Sequence, residues 1–169
     1  MARMWGATVA LIAAVAGAGA GVGAGAATAA DPTPAAPVSA GGKAAVARQA
    51  HFEDQAAGFK AIGDELKKET PDKAAIQAGA DKINATAQDL PSWFPRGSGP
   101  EAGVKTAAKA EVWTDAAGFA DAAQRLQDET AKLQQVAMAG DLDAIRAGVR
   151  ATGAACAGCH AKYREPDKH

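Results

Sequence analysis

The sequence predicts an all-α protein, an antiparallel four-helix bundle, and three observations carry that prediction. Apolar residues recur at spacings of three, four and seven in four separate stretches, the mark of amphipathic helices. No stretch sustains the period-two alternation of a half-buried strand. The four stretches are joined by a tight turn, a long loop rich in proline and glycine, and a second tight turn, a connectivity that suits a helix bundle.

Ahead of the helices, residues 1–30 are expected to stand outside the fold. Met1-Ala2-Arg3 is a short basic start, Ala7 to Ala16 is an apolar run containing Val9, Leu11, Ile12 and Val15, and Ala27-Thr28-Ala29 offers a small-x-small cleavage site. These are the parts of a secretory signal peptide. The stretch stays rich in alanine and glycine up to Ala30, and its low hydrophobicity favours cleavage over retention as an anchor. Residues 31–43, rich in Pro, Ala, Gly and Ser, read as a flexible leader. Residues 44–165 then form one domain, long enough for a real core.

In the first helix Ala45, Phe52, Phe59, Ile62 and Leu66 make one stripe, and Arg48 lies on it. A charge there must either snorkel out of the core or meet an anion. The second helix is expected to open at Pro71, carry the stripe Ile76, Ala80, Ile83, Ala87 and Leu90, and stop at Pro91. A crossover loop follows, where Trp93 and Phe94 pack against the end of the bundle. The third stripe, Val112, Ala116, Phe119, Ala123, Leu126, Thr130, Leu133 and Ala137, alternates four and three without a break. Gly140 ends that helix and Asp141 caps the fourth, whose stripe runs Leu142, Ile145, Val149, Thr152, Cys156, Cys159 and Tyr163.

Chemistry concentrates in Cys156-Ala157-Gly158-Cys159-His160. Both thiols of a C-x-x-C-H pattern can add to the vinyl groups of one haem while the imidazole reaches its iron. On a helix turning about 100° per residue, the three side chains span an arc of roughly 100°, so one face serves all of them. Ala154, Ala155, Ala157 and Gly158 are small enough to let a flat macrocycle lie against the backbone. A thioredoxin-like C-x-x-C follows a strand, and zinc needs further ligands, whereas His51 and His169 are the only other histidines and there are no other cysteines. A disulfide closing so small a ring would stabilise little. One covalently bound haem c is therefore expected, and export agrees with it, because such attachment takes place outside the bacterial cytoplasmic membrane.

The haem also suits a chain with only 5% aromatic residues, since alanine-rich seams bury little area and a macrocycle supplies the missing apolar body. The chain has 18 basic and 19 acidic residues. Loss of Arg3 with the signal leaves 17 against 19, near −2, and nucleic-acid binding is not indicated.

The arrangement resembles the cytochrome c′ family, the class II c-type cytochromes, over essentially the whole mature chain. The resemblance rests on C-x-x-C-H near the C-terminus followed by Ala161-Lys162-Tyr163-Arg164, and on Arg48-Gln49-Ala50-His51-Phe52 in the first helix. Trp93-Phe94-Pro95 with Gly99-Pro100 and Lys105-Thr106, and Glu111-Val112-Trp113, complete it. It implies His160 as the proximal iron ligand, Cys156 and Cys159 as thioether anchors, Arg164 as the basic residue of the proximal pocket, and Arg48 as the partner of a haem propionate. It also implies a homodimer built on the first two helices.

In such a protein the sixth coordination position decides behaviour. Met1 and Met4 leave with the signal, so Met138, at the far end of the third helix, is the one remaining methionine. The aligned distal position is Phe52, which cannot coordinate iron. The expectation is a periplasmic, five-coordinate haem protein that binds nitric oxide and carbon monoxide, transfers electrons with a redox partner the sequence does not specify, or does both. It is not expected to be an enzyme, because peroxidase-like chemistry needs polar distal acid and base groups. A six-coordinate, low-spin electron carrier is the alternative.

Overall fold

The computed structural model describes residues 38–166; the signal peptide and most of the leader expected at the N-terminus lie outside the described residues. Among the described residues five α-helices succeed one another: α1 (Ala40–Glu65), α2 (Lys73–Asp89), α3 (Glu111–Thr114), α4 (Ala116–Ala139) and α5 (Leu142–Tyr163). Single 3-10 turns occupy Leu90–Trp93 and Pro100–Ala102. α3 is one turn only, so α1, α2, α4 and α5 are the four long members of the bundle. Among the described residues the only β-type pairing is an isolated antiparallel bridge between Ala108 and Arg164.

Side-chain caps explain where the boundaries depart from expectation. α1 starts at Ala40, ahead of the expected Ala44, because Ser39 caps it: its Oγ accepts from Gly42 N at 3.0 Å. α2 opens at Lys73 rather than Pro71, because the Asp72 carboxylate accepts from the amides of Ala74 and Ala75 at 2.9 and 3.3 Å. The third stripe is interrupted at Asp115, whose backbone leaves the helical region and whose carboxylate caps α4 at Gly118 N. Gly140 ends α4 with a φ of 73°, a left-handed conformation that costs glycine little, and Asp141 caps α5 as expected.

α1 packs along α2, α2 along α4 and α4 along α5, whereas α1 and α5 meet in no extended contact. At the α1–α2 crossing Gly58 and Gly79 face each other. A Cβ on Gly79 would come within 2.8 Å of Ile62 Cγ1, and one on Gly58 within 3.0 Å of Ile83 Cγ1, so glycine permits the close approach. Between α2 and α4 an amide ladder sets the register: Asn84 Nδ2 donates to Gln134 Oε1 at 2.8 Å, Gln134 Nε2 to Asp81 Oδ1 at 2.8 Å, and Thr130 Oγ1 to Asn84 Oδ1 at 3.2 Å.

The core falls into two clusters along the bundle. At one end Ile62, Ile76, Ala80, Ile83, Leu133, Ala137 and Ile145 form an aliphatic core. At the other, Leu90, Trp93, Val112, Phe119, Leu126 and Tyr163 form a largely aromatic one, against which Phe52, Phe94, Cys156 and Cys159 pack half-buried. Trp93 and Phe94 thus pack at the bundle end as the sequence predicts.

Candidate functional site

The last two turns of α5 carry Cys156, Cys159 and His160, and residues 163–165 fix their register. Tyr163 is buried, and its hydroxyl donates to Asp115 Oδ2 at 2.8 Å. Beyond the helix the chain is extended: Lys109 N donates to Tyr163 O at 3.0 Å and Glu165 N to Ala107 O at 2.7 Å. α5 is therefore tied at its end to the crossover loop and to the start of α4. Lys162 adds an ion pair to Asp115 at 2.5 Å. Hydrogen bonds from Lys162 and Tyr163 hold the Asp115 carboxyl below its usual pKa.

The same loop grips α1 through Arg48, which is only 3% exposed. Snorkelling, one of the two expectations for this residue, is thereby corrected: the guanidinium is covered by the loop. It donates to Ser98 Oγ at 2.9 Å, Ser98 O at 2.6 Å and Thr106 Oγ1 at 2.7 Å, and lies 4.9 Å from the centre of the Phe94 ring. Burial lowers its pKa and nearby Glu101 raises it, with burial the larger effect. The loop uses three of the five N–H groups a guanidinium offers. Trp113 locks the loop in turn, donating from Nε1 to Phe94 O at 3.0 Å and Pro95 O at 3.2 Å. Sequence reasoning missed Ser98, Thr106 and Trp113 as partners; a buried arginine signals that acceptors exist, but only the folded loop shows which.

Phe52 stands one turn after Arg48, edge-on to Trp93 at 5.3 Å and 6.2 Å from Phe94. Phe94 continues to Phe119 at 4.8 Å, and Phe119 to Tyr163 at 5.3 Å, so aromatic rings run from α1 to α5. His51 is stacked flat on Trp93, with ring centres 4.7 Å apart.

Both cysteines are half-buried separate thiols facing the aromatic cluster. Burial raises both thiol pKa values, Cys159 to about 11 with Cys156 adding to the effect. Such thiols lack the low pKa of redox-active C-x-x-C pairs. No group of His, Cys, Asp and Glu among the described residues is arranged to hold a metal ion. The predicted site residues divide accordingly. Cys156, Cys159 and Phe52 meet at the aromatic cluster, while His160 is exposed on α5. Arg48 lies under the crossover loop, and Arg164 leaves the helix at the bridge to Ala108.

A cleft of about 630 Å³ opens between α4 and α5, with Ala151, Ala154, Ala155, Gly158 and Cys159 in its wall. That volume is ordinary for a cofactor site. Yet neither Cys156 nor His160 lines it, so a group bound to all three residues must also occupy the side of α5 that looks toward α1. There α1 and α5 meet in no extended contact and Gly153 faces the Phe59 ring, while on the cleft side Gly158 has open space where a Cβ would stand.

The family profile described as Cytochrome C' matches residues 43–164. The chain belongs to the cytochrome c′ family. A cytochrome c′ from Alcaligenes xylosoxydans xylosoxydans is 38% identical over 119 residues, covering 70% of this chain and 90% of that protein. A solved cytochrome c′ described as having an unusual ligand-controlled dimer dissociation matches with a TM-score of 0.72 at 28% identity, covering 78% of this chain and all of the other. The nitric oxide complex of a single-site mutant of the Alcaligenes xylosoxidans protein matches with a TM-score of 0.67 at 31% identity, covering 75% and 97%.

As a member of the cytochrome c′ family, the chain is a four-helix bundle with covalently attached haem c. Cys156 and Cys159 are its only cysteines. The residues present fit the group: paired thiols at an aromatic core, small residues around them, and a cleft of about 630 Å³ beside Cys159.

Proposed function

We propose that this chain is a periplasmic, five-coordinate haem protein that binds nitric oxide and carbon monoxide and exchanges single electrons. In this reading Cys156 and Cys159 anchor the haem and His160 is its one protein ligand. Arg48 and Arg164 meet its charged edge and its proximal side. The haem supplies an iron that changes valence and accepts a diatomic ligand.

The observation that carries the reading is the lack of a competing donor at Phe52. Its ring packs against Trp93 and Phe94 and offers no lone pair. His51, the nearest imidazole on α1, is held flat against Trp93. Met138 is 58% exposed, beside Ala137 of the aliphatic cluster and far from the cysteines. An apolar cover excludes water and penalises charged ligands such as cyanide and azide, which must be desolvated, more than it penalises neutral gases. Phe52 presents an apolar ring, and the neighbouring His51 is stacked on Trp93 rather than offered as a distal acid or base for peroxide chemistry, so this reading is of a binding protein rather than an enzyme.

Two further parts rest on likeness. Homodimerisation through α1 and α2 accords with the dimer described for one solved relative, and gas binding with the nitric oxide complex of another. Sedimentation at micromolar concentration should show a dimer. Export accords with the N-terminal signal pattern, and among the described residues no helix is long and apolar enough to cross a membrane.

The deciding experiment is the spin state of the ferric protein at neutral pH by electron paramagnetic resonance and absorption. A high-spin signal is expected. A low-spin, six-coordinate signal would show that a protein donor reaches the iron and would establish the electron-carrier alternative.

A further inference from the structure

Gln55, like Arg48, is a polar residue on the inner face of α1, but its amide nitrogen is unpaired. Its Nε2 is shielded from solvent and has no hydrogen-bond partner, in a structure whose other buried side-chain donors and acceptors among the described residues are matched. Buried amides are nearly always paired, so an unpaired one calls for a ligand or a function.

Neighbours on the helix locate this amide along the bundle. Phe52, three residues earlier, packs against the cluster that contains Cys156. Phe59, four residues later, puts its Cζ 3.7 Å from where a Cβ on Gly153 would stand. Gln55 lies between them, so it is level with the Gly153 to Cys156 turn of α5, where α1 and α5 meet in no extended contact. Arg48 is seven residues back, about 10 Å along the axis, so the charged haem edge expected at Arg48 is at a different level. An amide nitrogen has no available lone pair for iron, but it is a good donor.

We propose that Gln55 is a ligand-discriminating residue of the gas site, its Nε2 donating a hydrogen bond to a diatomic molecule bound on the α1 side of the haem. The inference rests on the gas-binding reading above. It makes the pocket non-coordinating yet not wholly apolar: Phe52 excludes water and anions, and Gln55 selects gases that gain negative charge on binding a reduced iron. The amide stays unpaired until such a ligand arrives, so its hydrogen bond favours the bound state over the empty one.

The test uses the haem-loaded ferrous protein with carbon monoxide, comparing the wild type with Gln55→Leu. The C–O stretching frequency, read by infrared or resonance Raman spectroscopy, should be lower in the wild type and rise in the variant. Carbon monoxide dissociation should quicken roughly two- to tenfold, the range one net hydrogen bond supports. The thermal midpoint of the gas-free ferrous form should stay level or rise, since an unpaired buried donor has been removed. Gln55→Ala should shift the frequency in the same direction. Equal frequencies and dissociation rates in wild type and variants, with carbon monoxide bound normally, would overturn the role of Gln55 and leave the gas site intact. Failure of the wild type to bind carbon monoxide, seen as an unchanged Soret band, would overturn both.

Discussion

The two ends of the bundle are built from different materials. At the aliphatic end Ile62, Ile76, Leu133 and Ile145 are wholly buried, and side chains of the bundle alone fill the space. At the aromatic end Phe52, Phe94, Cys156 and Cys159 remain half-buried around Trp93, Phe119 and Tyr163. Aliphatic residues can close a four-helix core by interdigitation, so that end needs nothing else. Rings around two thiols instead leave a surface shaped for a flat body. Only one end of this protein is complete as a polypeptide.

Removing the haem's attachment should affect the two ends most unequally. Cys156→Ala with Cys159→Ala leaves the aromatic end lining a void, and cavity costs of about 2 to 5 kcal/mol per large group are a large share of typical domain stability. Hydrogen exchange should show amides near Phe52 and Phe119 losing protection while those near Ile62 and Ile145 keep theirs. Uniform native protection in the haem-free variant would show that the two ends do not differ in this way.

Leu133→Ala probes the complete end. Leu133 has no exposed surface, so about 2 to 5 kcal/mol should be lost, visible as a lower denaturation midpoint, with the haem spectrum unchanged. Arg48→Met should have a smaller effect. It leaves Ser98 Oγ and Ser98 O without their donor and Thr106 Oγ1 with the Ala108 amide alone, at about 1 to 3 kcal/mol, and loosens the crossover loop, so the haem absorption bands should shift as well.

Smallest is the acid sensitivity of the α4–α5 tie. Lys162 and Tyr163 lower the folded-state pKa of Asp115. Its contribution is therefore complete above the carboxyl's unfolded pKa and is lost as pH falls through the lower folded value. Tyr163→Phe removes one of the three donors to this carboxylate, the others being Lys162 and Gly118 N, so stability plotted against pH should slope less steeply on the acid side. An unchanged slope would show that Lys162 and the Gly118 amide set the shift without Tyr163.

Local chemistry made much of this legible. The stripe of α2 and, from Phe119 on, that of α4 match the buried residues, and the α5 stripe runs through buried Ile145, Thr152 and Tyr163 with half-buried residues between them, because helical period alone decides which side chains share a face; Gly140 with Asp141 marked a boundary that depends on two adjacent residues. The C-x-x-C-H run identified its cofactor because thioether chemistry needs that spacing. Boundaries governed by caps were misplaced: Pro71 stood out in sequence, but the Asp72 carboxylate opens α2, and a continuous apolar period across Asp115 concealed a break made by its own side chain.

The set of helices, their inner faces and the chemistry of Cys156, Cys159 and His160 are thus written in the order of residues, because each is a property of groups close together in the chain. Three other facts emerge only once the helices pack. Arg48 is capped by Ser98 and Thr106, about 50 residues away, α5 is tied to Ala107 and Asp115, and Gln55 Nε2 is buried without a partner. They depend on which distant backbone and side-chain groups arrive at the same place, and periodicity along one helix carries no information about what stands opposite it.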